Sequence, residues 1–178
     1  VSKNTAAVQV CRAMGEQTVY EFLRAKLLFT NLNGEEDNNL SALALGYLSD
    51  GITLDKLSSC YTMFGNGGTY EQPYLYEKLC SAEGEMIVKS THKGVKAVST
   101  QTADIMNRLL INNVTQPQAL AKEAAIDGIE VAGKTGTVGA DGEVKCQYFV
   151  GMTPEYIGAV WIGFDEEEER LNLKNYLH

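Results

Sequence analysis

No stretch of this sequence approaches the roughly 20 consecutive apolar residues that a bilayer-spanning helix needs, and Val1 opens no charged-then-apolar signal segment. Any export or anchoring information is therefore expected upstream. Basic residues are in deficit: 15 Lys and Arg stand against 23 Asp and Glu, a net charge of -8, with Glu166, Glu167, Glu168 and Glu169 clustered near the C-terminus. Phosphate binding needs a basic patch, so the balance argues against a nucleic-acid partner. His92 and His178 are the only histidines, and the cysteines at 11, 60, 80 and 146 show no CxxC spacing, so a zinc site has almost no sequence support. The four cysteines read as buried small hydrophobes; in an exported protein they would allow three disulfide pairings, among which the sequence does not choose. Internal repeats, low-complexity stretches and linkers are also absent.

What is present is the balance of a globular protein. Apolar residues make up 44% and charged residues 21% of 178, with 17 Gly and 3 Pro, enough for one domain around one core. Ser2 to Met14 reads as a helix, with Asn4 or Thr5 as cap, Ala7, Val8, Cys11 and Met14 at helical spacing and Gly15 as its stop. A second helix is expected from Glu16 to Leu27, followed by a polar, acidic loop from Asn31 to Asn39 with a turn at Asn33-Gly34. Thr53 is the expected N-cap of a third helix with Leu54, Leu57, Tyr61 and Phe64 on one side, ended by Gly65-Asn66-Gly67-Gly68. Short extended pieces follow from Tyr70 to Val88 around Ala82-Glu83-Gly84-Glu85. Ser99 then caps a helix bearing Ile105, Met106, Leu109, Leu110 and Val114. From Ile129 the pattern turns to β. Strands are expected at Ile129 to Ala132, Val144 to Gly151 and Tyr156 to Phe164, joined by turns at Asp141-Gly142 and Thr153-Pro154 into an antiparallel meander.

Gly128 to Thr135 formally matches the phosphate-loop pattern of Gly, four residues, Gly-Lys and Ser or Thr. A phosphate loop wraps its amides around an anion and leads into a helix; Ile129-Glu130-Val131-Ala132 favours a strand, and Gly136 to Gly142 is turn-rich. The same residues read better as Lys134-Thr135-Gly136-Thr137 on a strand edge, an ammonium and two hydroxyls facing an anionic substrate, with Gly136 allowing close approach to the backbone. Taken alone, Lys134 is equally a solvated strand residue and the threonines ordinary β formers. Ser2-Lys3-Asn4 matches an SxN element; in isolation so short a pattern reads better as a plain Ser/Asn helix cap.

Together these motifs resemble the transpeptidase domain of bifunctional, class A penicillin-binding proteins, over nearly the whole chain. Ser2 to Val8 resembles that family's SxNTPAV stretch. Gly51-Ile52-Thr53-Leu54 with Tyr61 to Gly68 is similar to GVTPL and AYATFANGG, and Pro73 to Glu85 to PYLVEKI and DGKV. Val131 to Thr137, Phe149 to Glu155 and Val160 to Asp165 resemble VAGKTGT, FVGYTPD and VWVGYD in the same order. Two segments depart from the family: Thr115-Gln116-Pro117-Gln118-Ala119 stands where a Gly-Thr-Gly segment is usual, and Cys146-Gln147-Tyr148 where an Asp-Ala-Trp type is usual. The family's SxxK motif, which carries the nucleophilic serine and its base, normally precedes SxN. Its only match here, Ser90-Thr91-His92-Lys93, follows SxN and reads as a surface loop. His92 is expected as an exposed loop histidine, Trp161 as a packed strand aromatic and Glu166 to Glu169 as a solvated face.

The resemblance implies an α/β fold of the α+β type, an antiparallel sheet flanked by helices as in serine β-lactamases and penicillin-binding transpeptidases, incomplete here. Residues 1–178 would be the C-terminal part of one such domain. It implies a D,D-transpeptidase that cross-links peptidoglycan by serine acyl transfer, as a fragment without the nucleophile and inactive alone. The expected partners are stem peptides ending in D-Ala-D-Ala, β-lactams, and a missing N-terminal segment packed on the Val144 to Phe164 strands; no cofactor is expected. Ser2 would relay protons, Asn4 would bond the substrate amide, Lys134 would place a positive field beside Ser2, and Thr135, Gly136 and Thr137 would bind substrate, with the Thr137 N–H as half of the oxyanion hole. The location implied is the extracytoplasmic face of a bacterial membrane. Three other readings share some of these motifs: a serine β-lactamase or D,D-carboxypeptidase, a stem-peptide-binding module without catalysis, and a nucleotide-binding protein.

Overall fold

The computed structural model describes residues 2–92, 94–139 and 144–163. Five helices and seven strands appear among them: α1 (Asn4–Met14), α2 (Glu16–Ala25), α3 (Leu40–Leu45), α4 (Leu54–Gly65), β1 (Thr69–Tyr70), β2 (Lys78–Cys80), β3 (Met86–Lys89), β4 (Val95–Lys96), α5 (Thr100–Thr115), β5 (Ala132–Val138), β6 (Cys146–Met152) and β7 (Ile157–Gly163). A 3-10 turn at Lys122–Ala124 follows α5.

The C-terminal meander is antiparallel, in the order β5-β6-β7. Lys134 lies opposite Val150, Gly136 opposite Tyr148 and Tyr148 opposite Trp161, so among the described residues β5 is an edge strand with no strand on its other side. The strand begins later than its sequence suggests. Ile129 bridges back to Ile126 around Gly128, whose φ of 75° only glycine adopts readily, and extended pairing therefore starts at Ala132.

Helix boundaries follow local chemistry. Ser99 Oγ accepts from the Thr102 N–H at the start of α5, while α1 starts after Lys3 with no side-chain cap, so neither Asn4 nor Thr5 caps it. Short α3, which had no expectation attached, is capped by Asn39 Oδ1 accepting from the Ser41 and Ala42 N–H groups.

Helix α4 is the central element. Its Cys60 and Met63 pack with Leu27, Phe29 and Tyr70 in one cluster, and its Tyr61 and Phe64 lean on a second formed by Leu110, Ala132 and Met152. The expected stripe through Leu54, Leu57, Tyr61 and Phe64 is thus only one of two contact faces; Leu54 is exposed, and Ser59, Cys60 and Met63 are the buried residues. In α5 the buried residues are Ala103, Leu110 and Val114, whereas Ile105 and Leu109 face solvent. A third cluster of Val114, Ala121 and Val131 closes the base of β5. Helices α4 and α5 both lie against the meander.

Two small hairpins complete the fold, β1 with β4 and β2 with β3. Gly68, at φ 96°, feeds the first, and a side chain there would run into the Val98 carbonyl. Every residue of β2 and β3 is exposed. This corrects the expectation for the cysteines: Cys11 and Cys60 are buried, Cys146 is half-buried, and Cys80, on β2, is exposed. Trp161 is half-buried. The Asp141-Gly142 turn, Lys93, Phe164, Asp165 and the Glu166 to Glu169 run lie outside the described residues.

Candidate functional site

Two motifs at opposite ends of the sequence meet. Lys134 Nζ donates to Ser2 Oγ at 3.0 Å across 132 positions. Ser2 is exposed ahead of α1, which packs on α3 and α2; Lys134 projects from the edge strand β5. The ammonium also donates to the Thr135 carbonyl. Burial holds the Lys134 pKa below the ordinary lysine value, because a half-desolvated ammonium loses hydration that two oxygens only partly replace.

The edge is held from behind. Asn113 Nδ2, near the end of α5, donates to the Gly133 carbonyl at 2.8 Å. The carbonyls of Gly133 and Thr135 thus both accept side-chain bonds on the side of β5 away from β6. In an antiparallel ladder backbone groups alternate sides every residue, so the Thr137 N–H shares that outer side. Thr135 and Gly136 are half-buried and Thr137 is exposed. A side-chain carbon at Gly136 would stand 3.2 Å from Tyr148 Cβ, so this glycine also makes room for its cross-strand neighbour. Asn4 is exposed in the first turn of α1.

Ser90 and its neighbours stand elsewhere. The Ser90 N–H donates to the Glu77 carbonyl at the foot of the β2–β3 hairpin, and its hydroxyl lies 3.5 Å from His92 Nδ1. Ser90 lines a cavity whose wall includes neither Ser2 nor Lys134. The phosphate-loop reading fails on geometry, since Gly133 to Thr137 run as a β-strand and, among the described residues, no helix follows. Asn113 is the site residue that the sequence did not announce: it lies 20 positions from the carbonyl it holds, on a helix whose apolar spacing drew attention to other residues. Among the described residues no group of acidic, histidine or cysteine side chains is arranged to hold a metal ion, and no helix is long and apolar enough to cross a membrane.

Comparison with known proteins bears on the family and the fold. The penicillin binding protein transpeptidase domain family matches residues 1–170. Penicillin-binding protein 1F of Bacillus subtilis is 33% identical over 97% of this chain and 23% of its own length. Penicillin-binding protein 1A of Clostridium acetobutylicum is 32% identical over 93% of this chain and 20% of its own length. The chain therefore spans about a quarter or less of these curated relatives. Among solved structures, the D,D-transpeptidase domain of a peptidoglycan glycosyltransferase from Eggerthella lenta aligns with a TM-score of 0.75 at 23% identity, covering 93% of this chain and 47% of that one. An imipenem acyl-enzyme complex of penicillin-binding protein A from M. tuberculosis aligns at 0.71 and 21% identity, over 94% of this chain and 42% of that one. At these identities the two alignments speak for the fold.

Proposed function

The chain belongs to the penicillin-binding protein transpeptidase family, and from that premise we propose that it forms the C-terminal part of a single D,D-transpeptidase domain that cross-links peptidoglycan by serine acyl transfer. The observation that carries the reading is the Lys134 Nζ to Ser2 Oγ bond at the free edge of β5.

Acyl transfer requires a nucleophile, a proton shuttle and donors aimed at the developing oxyanion. The nucleophilic serine, supplied by a segment outside these residues, attacks the carbonyl of the penultimate D-Ala. The terminal D-Ala leaves with a proton, and an acceptor amine then attacks the acyl-enzyme, forming the cross-link and returning the serine. Because Lys134 donates to Ser2 Oγ, the Ser2 hydroxyl accepts that bond and keeps its own proton to give to the leaving nitrogen. Depressing the lysine pKa by burial brings it nearer the range in which protons move at neutral pH. The Thr137 N–H, on the unpaired side of β5, donates to the oxyanion; Thr135 and Thr137 bind the terminal carboxylate, Gly136 lets the peptide lie along the strand, and Asn4 bonds the substrate amide. β-Lactams acylate the same serine as mimics of the dipeptide. The activity belongs on the extracytoplasmic face of the membrane, where the wall is built.

The test is labelling of the intact protein with a fluorescent penicillin, resolved by denaturing electrophoresis. Wild type labels stably, while Lys134→Ala and Ser2→Ala each slow acylation by about a hundredfold or more, the scale of a lost proton-transfer group. Labelling that is indifferent to both substitutions, or that maps to Ser90, overturns the assignment; rapid loss of the label points to a hydrolase.

A further inference from the structure

Away from Ser2 and Lys134 the surface is also concave. Two cavities of about 520 and 570 Å³ abut on the far side of α4 and share Asp55, Gln72, Pro73, Tyr74 and His92. The rings of Tyr74 and His92 stack between them with centroids 3.9 Å apart and planes within 14°. Both residues are exposed, so two aromatic side chains meet in the open rather than in a core.

The walls are built. Lys56 Nζ, beneath the first cavity, is committed to the Leu27 and Leu28 carbonyls and the Tyr70 hydroxyl, and lies 4.7 Å from the Tyr70 ring centre. That triple bond set fixes Leu28, the non-glycine residue at positive φ (52°) among those described, and a strained residue on a cavity wall is a recurrent mark of a functional surface. The rest of the lining mixes polar groups, carboxylates and apolar wall: Asn31, Thr30 and Ile52 on one side, Ser58 and Glu71 on the other, with Pro73 shared.

Such a lining discriminates among ligands. Asp55 and Glu71 repel anions, and the apolar wall from Ile52 and Pro73 alternates with polar groups rather than forming one greasy surface. A neutral ring with an apolar face and hydroxyl or amide edges suits them: the face lies on Tyr74 or His92, and the edges meet carboxylate, amide and hydroxyl partners. Each volume suits a ligand of one or two rings. We infer that this cleft binds pyranose rings of a glycan strand, one on each side of the Tyr74–His92 stack, holding the polymer while its peptide reacts at β5. The choice of an N-acetylated amino sugar rests on the proposed function; saccharide binding itself rests on the cleft.

The experiment uses the intact protein and a diazirine-bearing oligomer of N-acetylglucosamine, with adducts mapped by peptide mass spectrometry. Adducts are expected on wild-type peptides carrying Tyr74 or His92. Tyr74→Ala is expected to lower that yield about tenfold, near the worth of one aromatic contact, while fluorescent-penicillin labelling stays unchanged. Adducts solely outside residues 28–31 and 52–94, or a yield indifferent to Tyr74→Ala, overturn the inference. If a simple amine such as lysine amide abolishes the adducts while monomeric N-acetylglucosamine does not, the cleft is a cation site and the inference fails. The wild-type map decides without any variant. Penicillin labelling reports the transpeptidase reading separately, so failure of one is distinguishable from failure of the other.

Discussion

Asp37 carries more of the fold than its setting in a polar, acidic loop suggests. Its carboxylate is 1% exposed and accepts from the Asn33 N–H at 2.8 Å, the Ser49 N–H at 2.7 Å and the Ser49 hydroxyl at 3.1 Å. Desolvation, the largest influence, pushes its pKa up, but the bonds from Ser49 and Asn33 outweigh it and hold the pKa below the ordinary carboxylate value. The folded carboxyl therefore gives up its proton at lower pH than the unfolded one. Its contribution to stability is complete above the ordinary carboxylate pKa and is lost as pH falls through the folded value. Replacing Asp37 with Ala leaves two N–H groups without their acceptor and is expected to cost about 3 kcal/mol in denaturant unfolding at pH 7. The gap between wild type and variant should narrow below about pH 4; a gap that is constant with pH would mean that the carboxylate charge is not what matters. Nothing in the sequence singles out Asp37 from Glu35 and Glu36, because what distinguishes it is Ser49, twelve positions away.

Strand β5 depends on glycine as much as on its reactive residues. A side-chain carbon at Gly133 would stand 2.8 Å from the Phe149 ring and 3.3 Å from the Val150 carbonyl, and Phe149 is itself packed against the Val114, Ala121 and Val131 cluster. Gly133→Ala is therefore expected to cost about 1–2 kcal/mol as overpacking, and to slow penicillin acylation by displacing Lys134. Phe149→Leu in the same protein should return part of both losses, measured by thermal unfolding and by labelling rate; a double variant no better than the single one would place the strain elsewhere. The existence of the three strands was legible from alternation and turn residues, as were the long helix after Ser99 and the stop at Gly65 to Gly68. Less legible were the buried faces. Leu54, Ile105 and Leu109 fit a helical stripe yet stand in solvent, because α4 serves two clusters and α5 turns the side bearing Leu110, Asn113 and Val114 toward β5 and its neighbours. Spacing tells which residues share a side and not which side meets a neighbour.

At the scale of the whole molecule, the candidate site exists only because the fold closes a gap of 132 positions between Ser2 and Lys134. Each motif alone was as consistent with a helix cap or a solvated strand; their order among other family-like segments is what made the pairing legible, whereas the Asn113 brace and the Tyr74–His92 cleft had no such guide. Among the described residues, no strand pairs with the opposite edge of the sheet. Strand β7 lies at the end of the order β5-β6-β7, with Val160 55% and Ile162 44% exposed, an open edge with an apolar face of the kind that proteins normally cover. In the proposed single domain, the N-terminal segment would be the cover. The 178-residue chain on its own should then enhance the fluorescence of a hydrophobic dye, and a form extended upstream should do so several-fold less at equal concentration. Lys residues introduced at Val160 and Ile162 should abolish most of the signal of the short form and destabilise the long one, because the same charges that solvate an open edge are buried unpaired once the edge is covered. A compact monomer of the short chain that binds no dye would show that β7 needs no cover and that the domain is complete without it.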